Sequence, residues 1–300
     1  MSYTPDFHPE PPRPTGIFQW FYVYINSLLE FFIGYYYPGQ IQRLLEKSTN
    51  RALELEESLL WRPKQIDCEK LSEKEILKEL KGEVRQEDGP WLLKMICSIK
   101  KFQRLRHEIE MKRATRVTRE LHRDHLEHLY ELIKEEKINV GLDKEEDKLE
   151  DSKEKPDWVS IGFQGSDPIT DFRGGGLLSL SQLIYFCENY QEKAKNLNLR
   201  ASHPTKGYGL AITGINLTVL LTKALQAGAL KKYFYNTTIC EEQFNIVFSE
   251  CILYFDFLWK REDPEDIMQF SFIFDIFRAD FEKAVKNGDI PSIPSSTSPS

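Results

Sequence analysis

Residues 241–260 read EEQFNIVFSECILYFDFLWK. Phe244, Val247, Phe248, Cys251, Tyr254, Phe255 and Leu258 recur at the i, i+3, i+4, i+7 spacing that lines one face of an α-helix, and a period of two would scatter them. The same reading extends outward. Upstream, residues 208–226, YGLAITGINLTVLLTKALQ, are apolar on nearly every side, as in a central buried helix that stops near Gly228. Residues 176–192 place Leu177, Leu180, Leu183, Ile184 and Cys187 on one stripe. Downstream, Asp263 and Pro264 read as N-cap and first residue of a last helix carrying Ile267, Phe270, Phe274, Phe277 and Phe281, which Gly288 ends. Nearer the N-terminus, Ile41, Leu44, Leu45 and Ser48 share a face. Ser72 and Glu75 form a capping box for a short helix through Leu80. After the punctuation at Gly82 and Gly89-Pro90, Trp91, Ile96, Ile99, Phe102, Leu105 and Ile109 mark a long helix. Leu121, His125, Leu129, Leu132 and Ile133 mark another. Strand-like alternation occurs at no useful length, so the expected fold class is all-α.

Composition narrows the function. The net charge of −7 over 300 residues argues against a general nucleic-acid binder, which needs a basic face to displace counterions. The five cysteines, Cys68, Cys97, Cys187, Cys240 and Cys251, are scattered and never spaced C-x-x-C, the pattern of reduced cytosolic thiols rather than of a disulfide framework or zinc site. In such a chain the sequons at Asn216 and Asn236 are accidental. His122, His125 and His128 recur every three residues; adjacent pairs can share a metal, but the three do not converge easily, and an exposed helix face is the expectation. No phosphate-binding loop G-x-x-x-x-G-K-[ST], no G-x-S-x-G elbow and no H-E-x-x-H is present. The chain is therefore not expected to hydrolyse nucleotide by itself, and it is expected to use no metal and no cofactor.

The ends differ in kind from the middle. Residues 1–16 are proline-rich and aperiodic, and read as a disordered tail. The segment 17–40 opens with IFQWFYVYINSLLEFFIGYYY, in which Glu30 is the one charged residue. Three readings of 17–37 stay open: an anchor lying in or on a membrane surface, a core helix, or a true span. Its apolar character is mostly aromatic, which suits a membrane interface better than the hydrocarbon centre. Residues 41–118 form a helical N-terminal region. Lysine and arginine are dense from Lys94 to Arg123, either as a solvated helix face or as a contact with an acidic lipid surface or acidic partner. Residues 119–287 form the main domain, interrupted at 143–157 by a charged loop containing KEEDKLEDSKEK. Residues 288–300 read as a second disordered tail.

The chemistry concentrates in residues 158–186, WVSIGFQGSDPITDFRGGGLLSLSQLIYF. Arg173 follows Asp171-Phe172 and precedes Gly174-Gly175-Gly176. The glycine triple has neither the spacing nor the preceding strand of a dinucleotide fingerprint. On residue chemistry alone two roles for Arg173 stay open. A salt bridge to Asp167 or Asp171 would hold the loop shut, whereas an unpaired guanidinium would be presented to a partner's phosphate.

Trp158, Gly162-Phe163-Gln164, Asp167-Pro168, Thr170 to Gly174 and Gly176 match W-x3-G-F-Q-x2-D-P-x-T-D-F-R-G-x-G, and with Leu183 and Tyr185-Phe186 the stretch resembles the signature of ELMO-domain (ELMOD) proteins. The resemblance continues through His203-Pro204, Gly207-Tyr208, Gly214 to Thr218, Ala229 to Lys231, Tyr235-Asn236 and Glu262 to Glu265, and more weakly upstream at Gln42 to Leu44. It implies an all-α ELMO domain with an N-terminal helical extension. It also implies a GTPase-activating protein for small GTPases of the Arf and Arf-like families, supplying Arg173 in trans as a catalytic arginine finger to the GTP-bound partner. Larger ELMO relatives lack that arginine and scaffold exchange factors of the DOCK class. The alternative function is a non-catalytic GTPase effector or membrane-associated adaptor. Either implies a cytoplasmic protein at an intracellular membrane.

Within that resemblance Gln164, Asp167, Asp171, Gly174 and Gly176 are the supporting loop. Gln164 is a candidate to orient the attacking water, the two aspartates to hold the turn, cap the next helix or orient the arginine, and the glycines to let the backbone approach a partner. Trp158, Phe163 and Phe172 are framework. Two positions depart from the family pattern. Gln182 replaces an asparagine and is expected to keep an amide hydrogen bond at longer reach. Gly175 replaces a methionine or similar residue and is expected to loosen the loop.

Overall fold

A computed structural model describes residues 52, 53, 55, 56, 70–80, 89–134 and 156–294, the side chains of 89–91 excepted. The expected tail 1–16, the aromatic segment 17–40, the helical face from Ile41 to Ser48, the side chain of Trp91, nearly all of the charged loop 143–157 and the end of the tail 288–300 lie outside the described residues.

Among the described residues every regular element is helical. The α-helices are α1 (Glu73–Glu79), α2 (Gly89–Ala114), α3 (Arg119–Ile133), α4 (Gly176–Asn189), α5 (Gln191–Ala201), α6 (Leu210–Gln226), α7 (Lys231–Asn236), α8 (Glu241–Glu262) and α9 (Phe270–Asn287). Short 3-10 turns occupy Val159–Ile161, Pro168–Arg173 and Ile267–Gln269. The chain divides into two compact units. One comprises residues up to Glu108 with Lys223–Gln243 and Ala284–Asp289, and the other comprises Ile109–Thr222, Phe244–Lys283 and the residues from Ile290 on.

In the first unit Leu55, Ile76, Leu80, Leu92, Ile96 and Ile99 form a closed apolar cluster. Phe102 extends it, with its ring 5.8 Å from Phe234 and 5.6 Å from Tyr235. The capping box opens α1: Ser72 N–H donates to the Glu75 carboxylate at 2.8 Å and Glu75 N–H to Ser72 Oγ at 3.4 Å. Glu56 is buried, yet the Tyr235 hydroxyl donates to it at 2.8 Å and Lys231 lies 3.3 Å away, so the buried charge is answered.

In the second unit α8 is the spine. Phe244, Val247, Phe248, Cys251, Tyr254, Phe255 and Leu258 are all buried, as their spacing requires. Phe255 is the hub, with rings of Tyr208 and Phe270 at 5.4 Å, Phe274 at 6.0 Å and Phe277 at 6.2 Å. A fully buried side chain of this kind contributes about 3 kcal/mol through area removed from water alone.

Two local expectations fail. Asp263 and Pro264 do not open the last helix. Asp263 adopts φ +42° and its N–H donates to the Trp259 carbonyl, so this pair terminates α8, a placement proline shares with helix ends. The cap is Asp266, whose carboxylate accepts the Met268 N–H at 2.8 Å, and a 3-10 turn leads into α9. The buried stripe of α3 is His122, Leu126, Leu129 and Ile133, whereas Leu121 is 76% exposed. The cause is a non-helical φ of −125° at His122, whose ring turns back onto the cap residue Thr118. The histidine face is thus exposed at His125 and His128 but not at His122.

Candidate functional site

The signature begins on an aromatic ladder. Tyr130, Trp158, Phe163 and Phe172 meet edge to face with centroid separations of 5.4, 5.6 and 5.5 Å. Trp158, Phe163 and Phe172 are buried. Each such pair adds about 0.5–1.5 kcal/mol beyond its area and fixes the ring orientation. Gly162 bends the chain between Trp158 and Phe163 at φ +90°, and its carbonyl accepts the Ile212 N–H at 3.0 Å at the start of α6. A Cβ there would stand 2.3 Å from Leu210 N. The loop is thereby fastened to α6 before the polar signature residues begin.

Asp167 caps the 3-10 turn Pro168–Arg173, accepting the Ile169 N–H at 3.2 Å, and pairs with the Arg119 guanidinium at 3.1 Å. Asp171 accepts the backbone N–H of Gln164 at 2.8 Å and closes the loop on itself. Both carboxylates are therefore engaged with groups other than Arg173. Three residues per turn bring Thr170 and Arg173 to one side of the 3-10 turn, and both are exposed, whereas Phe172 next to them is buried. The backbone is fixed and the guanidinium is left outside it. Arg173 has no hydrogen-bond or ion-pair partner among the described residues. The Gln164 side chain is exposed, and its backbone N–H is the group engaged by Asp171.

The glycine run behaves differently from its expected role. Only Gly174 is exposed; Gly175 and Gly176 are buried. Gly176 adopts φ +55°, and a Cβ would stand 2.0 Å from the Arg113 carbonyl oxygen and 2.7 Å from that of Thr115. Leu177 N–H donates to the same Thr115 carbonyl at 2.9 Å. The end of α2 thus seats the start of α4, and glycine is required because backbone meets backbone. Gly175 is packed: its Cβ position lies 2.5 Å from Ser179 Oγ, and its carbonyl accepts the Ser179 N–H at 3.2 Å. Gln182 is buried and keeps an amide hydrogen bond, accepting from Thr218 Oγ at 2.8 Å.

Sequence reading missed the residues that reach this loop from outside the signature. Arg113 is held by Glu110 through two contacts of 2.9 and 2.5 Å and donates a long, 3.4 Å bond to the Gly174 carbonyl. Its hydrogen bond holds the Glu110 carboxyl below the ordinary carboxylate value. Arg119 supplies the ion pair to Asp167. Their basic stretch was legible, but which of its cations turn toward the signature depends on how α2 and α3 fold back.

A second polar cluster braces the His203–Tyr208 loop. Asp256, buried on α8, receives the Arg200 guanidinium through both oxygens, the Tyr208 hydroxyl at 3.0 Å and Lys260 at 3.3 Å. Burial, with Asp256 beside it, pushes the Tyr208 phenol far above its usual range, so it remains a donor. Trp259 Nε1 donates to the Lys206 carbonyl at 3.0 Å, and Lys206 pairs with Asp263 at 2.8 Å. No group of three potential metal ligands gathers among the described residues. His128 instead pairs with Glu188 at 2.8 Å. Among the same residues no helix is long and apolar enough to cross a membrane.

The sequence profile of the ELMO/CED-12 family matches residues 107–274. ELMO domain-containing protein 2 of Mus musculus is 42% identical over 132 residues, covering 43% of this chain and 44% of the relative. ELMO domain-containing protein B of Dictyostelium discoideum is 34% identical over 205 residues, covering 67% of this chain and 66% of the relative. ELMO domain-containing protein 1 of Mus musculus is 35% identical over 195 residues, 58% of this chain and 56% of the relative. The matched stretch spans less than half the length of the mammalian protein 2 relatives.

Proposed function

The chain belongs to the ELMO/CED-12 family, and we propose that it is a GTPase-activating protein for small GTPases of the Arf and Arf-like class, with Arg173 as the arginine it inserts in trans. The observation that carries this reading is the exposed guanidinium of Arg173, unpaired among the described residues, on a turn whose own carboxylates, Asp167 and Asp171, are engaged elsewhere. A salt-bridge pin would need one of them.

During GTP hydrolysis, negative charge builds on the γ-phosphoryl and bridging oxygens. A guanidinium brought into that water-poor site offsets the charge, and such fingers accelerate hydrolysis by about 10³–10⁵. The planar fork addresses two oxygens at once, which an ammonium cannot. Burial of Phe172 and the Asp171–Gln164 bond fix the turn beforehand, so little order has to be imposed when the partner docks. Gln164, exposed on the same loop, is the candidate to orient water. The chain supplies no nucleotide site of its own in this reading and acts on a GTP-bound partner.

Single-turnover hydrolysis by purified Arf and Arf-like GTPases tests the proposal. The full chain should accelerate it, and Arg173→Ala and Arg173→Lys should both lose most of that gain while unfolding at the wild-type temperature. Equal stimulation by the variants would exclude the finger. Binding to the GTP form without acceleration would make the chain an effector or adaptor. The same reading sets the chain in the cytoplasm against an intracellular membrane through residues 17–37; deletion of that segment should release it from membranes with the fold intact.

A further inference from the structure

Four arginines gather about the signature loop, and they fall into two classes. Arg113 and Arg119 are engaged, by Glu110 and Asp167, and each touches the loop, at the Gly174 carbonyl and at the cap of the 3-10 turn. Arg173 is free. So is Arg116, which lies in the short connection between α2 and α3, is exposed, and has no hydrogen-bond or ion-pair partner among the described residues. Its position is not loose. Val117 beside it is 5% exposed, the preceding Thr115 carbonyl accepts the Leu177 N–H at 2.9 Å, and Thr118 caps α3. Arg116 and Arg173 are thus built alike, each an exposed cation next to a buried apolar anchor, on two segments bonded to each other.

The charge around them is one-sided. Residues 111–119, MKRATRVTR, hold Lys112, Arg113, Arg116 and Arg119 and no carboxylate, in a chain whose net charge is −7. Three carboxylates that contact this segment or the signature loop are engaged, Glu110 by Arg113, Asp167 by Arg119 and Asp171 by the Gln164 N–H, and Glu120 follows the segment as an exposed residue of α3. A local positive field on an acidic protein draws an acidic partner and disfavours approach by its other faces.

We infer that Arg116 is a docking residue for the proposed GTPase, receiving a carboxylate of the partner's acidic face while Arg173 enters the nucleotide site. The inference rests on the reading above for the identity of the partner. A protein is favoured over a lipid surface because Arg116 and Arg173 flank one preorganised loop, whereas a headgroup layer would need no such fixed pair.

The test measures binding of the full chain to an Arf-family GTPase loaded with a non-hydrolysable GTP analogue, over a salt series, beside single-turnover hydrolysis. Arg116→Glu should weaken binding about tenfold and flatten its salt dependence, and Arg116→Lys should stay near wild type, because a rim charge acts mainly through long-range attraction. Affinity of Arg116→Glu within twofold of wild type, or failure of every Arf-family GTPase to bind the wild-type chain, would overturn the inference. So would unchanged GTPase binding with loss of co-sedimentation on phosphatidylserine vesicles, which would assign the surface to membrane. Failure of the finger is read separately: Arg173→Ala would then stimulate like wild type, and Arg116→Glu would still weaken binding.

Discussion

The carboxylate of Asp171 accepts the backbone N–H of Gln164 at 2.8 Å and leaves Arg173, two positions on, without a counter-ion among the described residues. A residue that sequence makes the natural partner of the arginine instead ties the loop that carries it. Asp171→Ala removes the acceptor and leaves an exposed backbone donor to water, a loss of roughly 0.5–1.5 kcal/mol. Asp171→Asn retains an oxygen and should lose less. Thermal unfolding should rank wild type above Asn above Ala, and GTPase stimulation should follow the same order. Equal effects of Asn and Ala would mean that the charge, not the bond, is what matters.

The Glu110–Arg113 pair is expected to act only above the acid range. Arg113 lowers the Glu110 pKa from its ordinary 4.5 in the folded chain. A depressed folded pKa contributes stability that is present above the unfolded value and lost as pH falls through the folded one. Glu110→Gln should therefore lower the unfolding temperature by the same small amount anywhere from about pH 6 to pH 8, and by nothing once the pH has fallen well below the lowered folded value. Both side chains are more than a third exposed, so the neutral-pH loss should be at most about 1 kcal/mol. A difference that persists at low pH would show that glutamine perturbs packing rather than the ion pair.

Periodicity carried the helical fold because burial has the period of the helix: the face from Phe244 to Leu258 is buried throughout. It failed where a short-range bond redirected the chain. His122 turns onto Thr118 and rotates the buried stripe of α3. Asp263 and Pro264 carry the residue types of a helix start but occupy a helix end, and only φ +42° tells the two apart. At the site, residue chemistry identified Arg173 and its loop yet left pin and finger open, since Asp167 and Asp171 have the same chemistry in both, and the family resemblance was what pointed to the finger. In the structure Arg119 reaches Asp167 from 48 positions away and the Gln164 N–H reaches Asp171. Such tertiary pairings leave no trace in local spacing, and the same holds for Arg113.

The glycines of the signature should respond unequally to alanine. Gly176 has φ +55° and a Cβ would meet the Arg113 carbonyl at 2.0 Å, a contact with backbone that cannot swing aside. Gly176→Ala should lose more than about 3 kcal/mol, from left-handed strain plus displacement of the α2 end. Gly165 has nothing within 4 Å of its Cβ position, so Gly165→Ala should stay within about 0.5 kcal/mol. Thermal unfolding of the two variants checks this directly, and similar melting temperatures would contradict the close seating of α4 against the end of α2.

Asp256 presents the sharpest energetic asymmetry. Its side chain is 5% exposed and is balanced by Arg200 and Lys260, with Tyr208 donating to it. Asp256→Ala takes away the buried charge itself, leaves the buried Tyr208 hydroxyl without its acceptor and frees Arg200 and Lys260, which reach solvent, so it should lose about 1.5–3 kcal/mol. Tyr208→Phe removes one hydroxyl and leaves the carboxylate paired with two cations, a loss of about 1–1.5 kcal/mol. Arg200→Ala should fall between them, because Lys260 remains as counter-ion to the buried carboxylate. The loop from His203 to Tyr208 hangs on this cluster through the Trp259 bond to the Lys206 carbonyl. Amide exchange in that loop should therefore rise in Asp256→Ala before the helices unfold. Loop exchange unchanged alongside a lower melting temperature would mean that the network stabilises the core without bracing the loop.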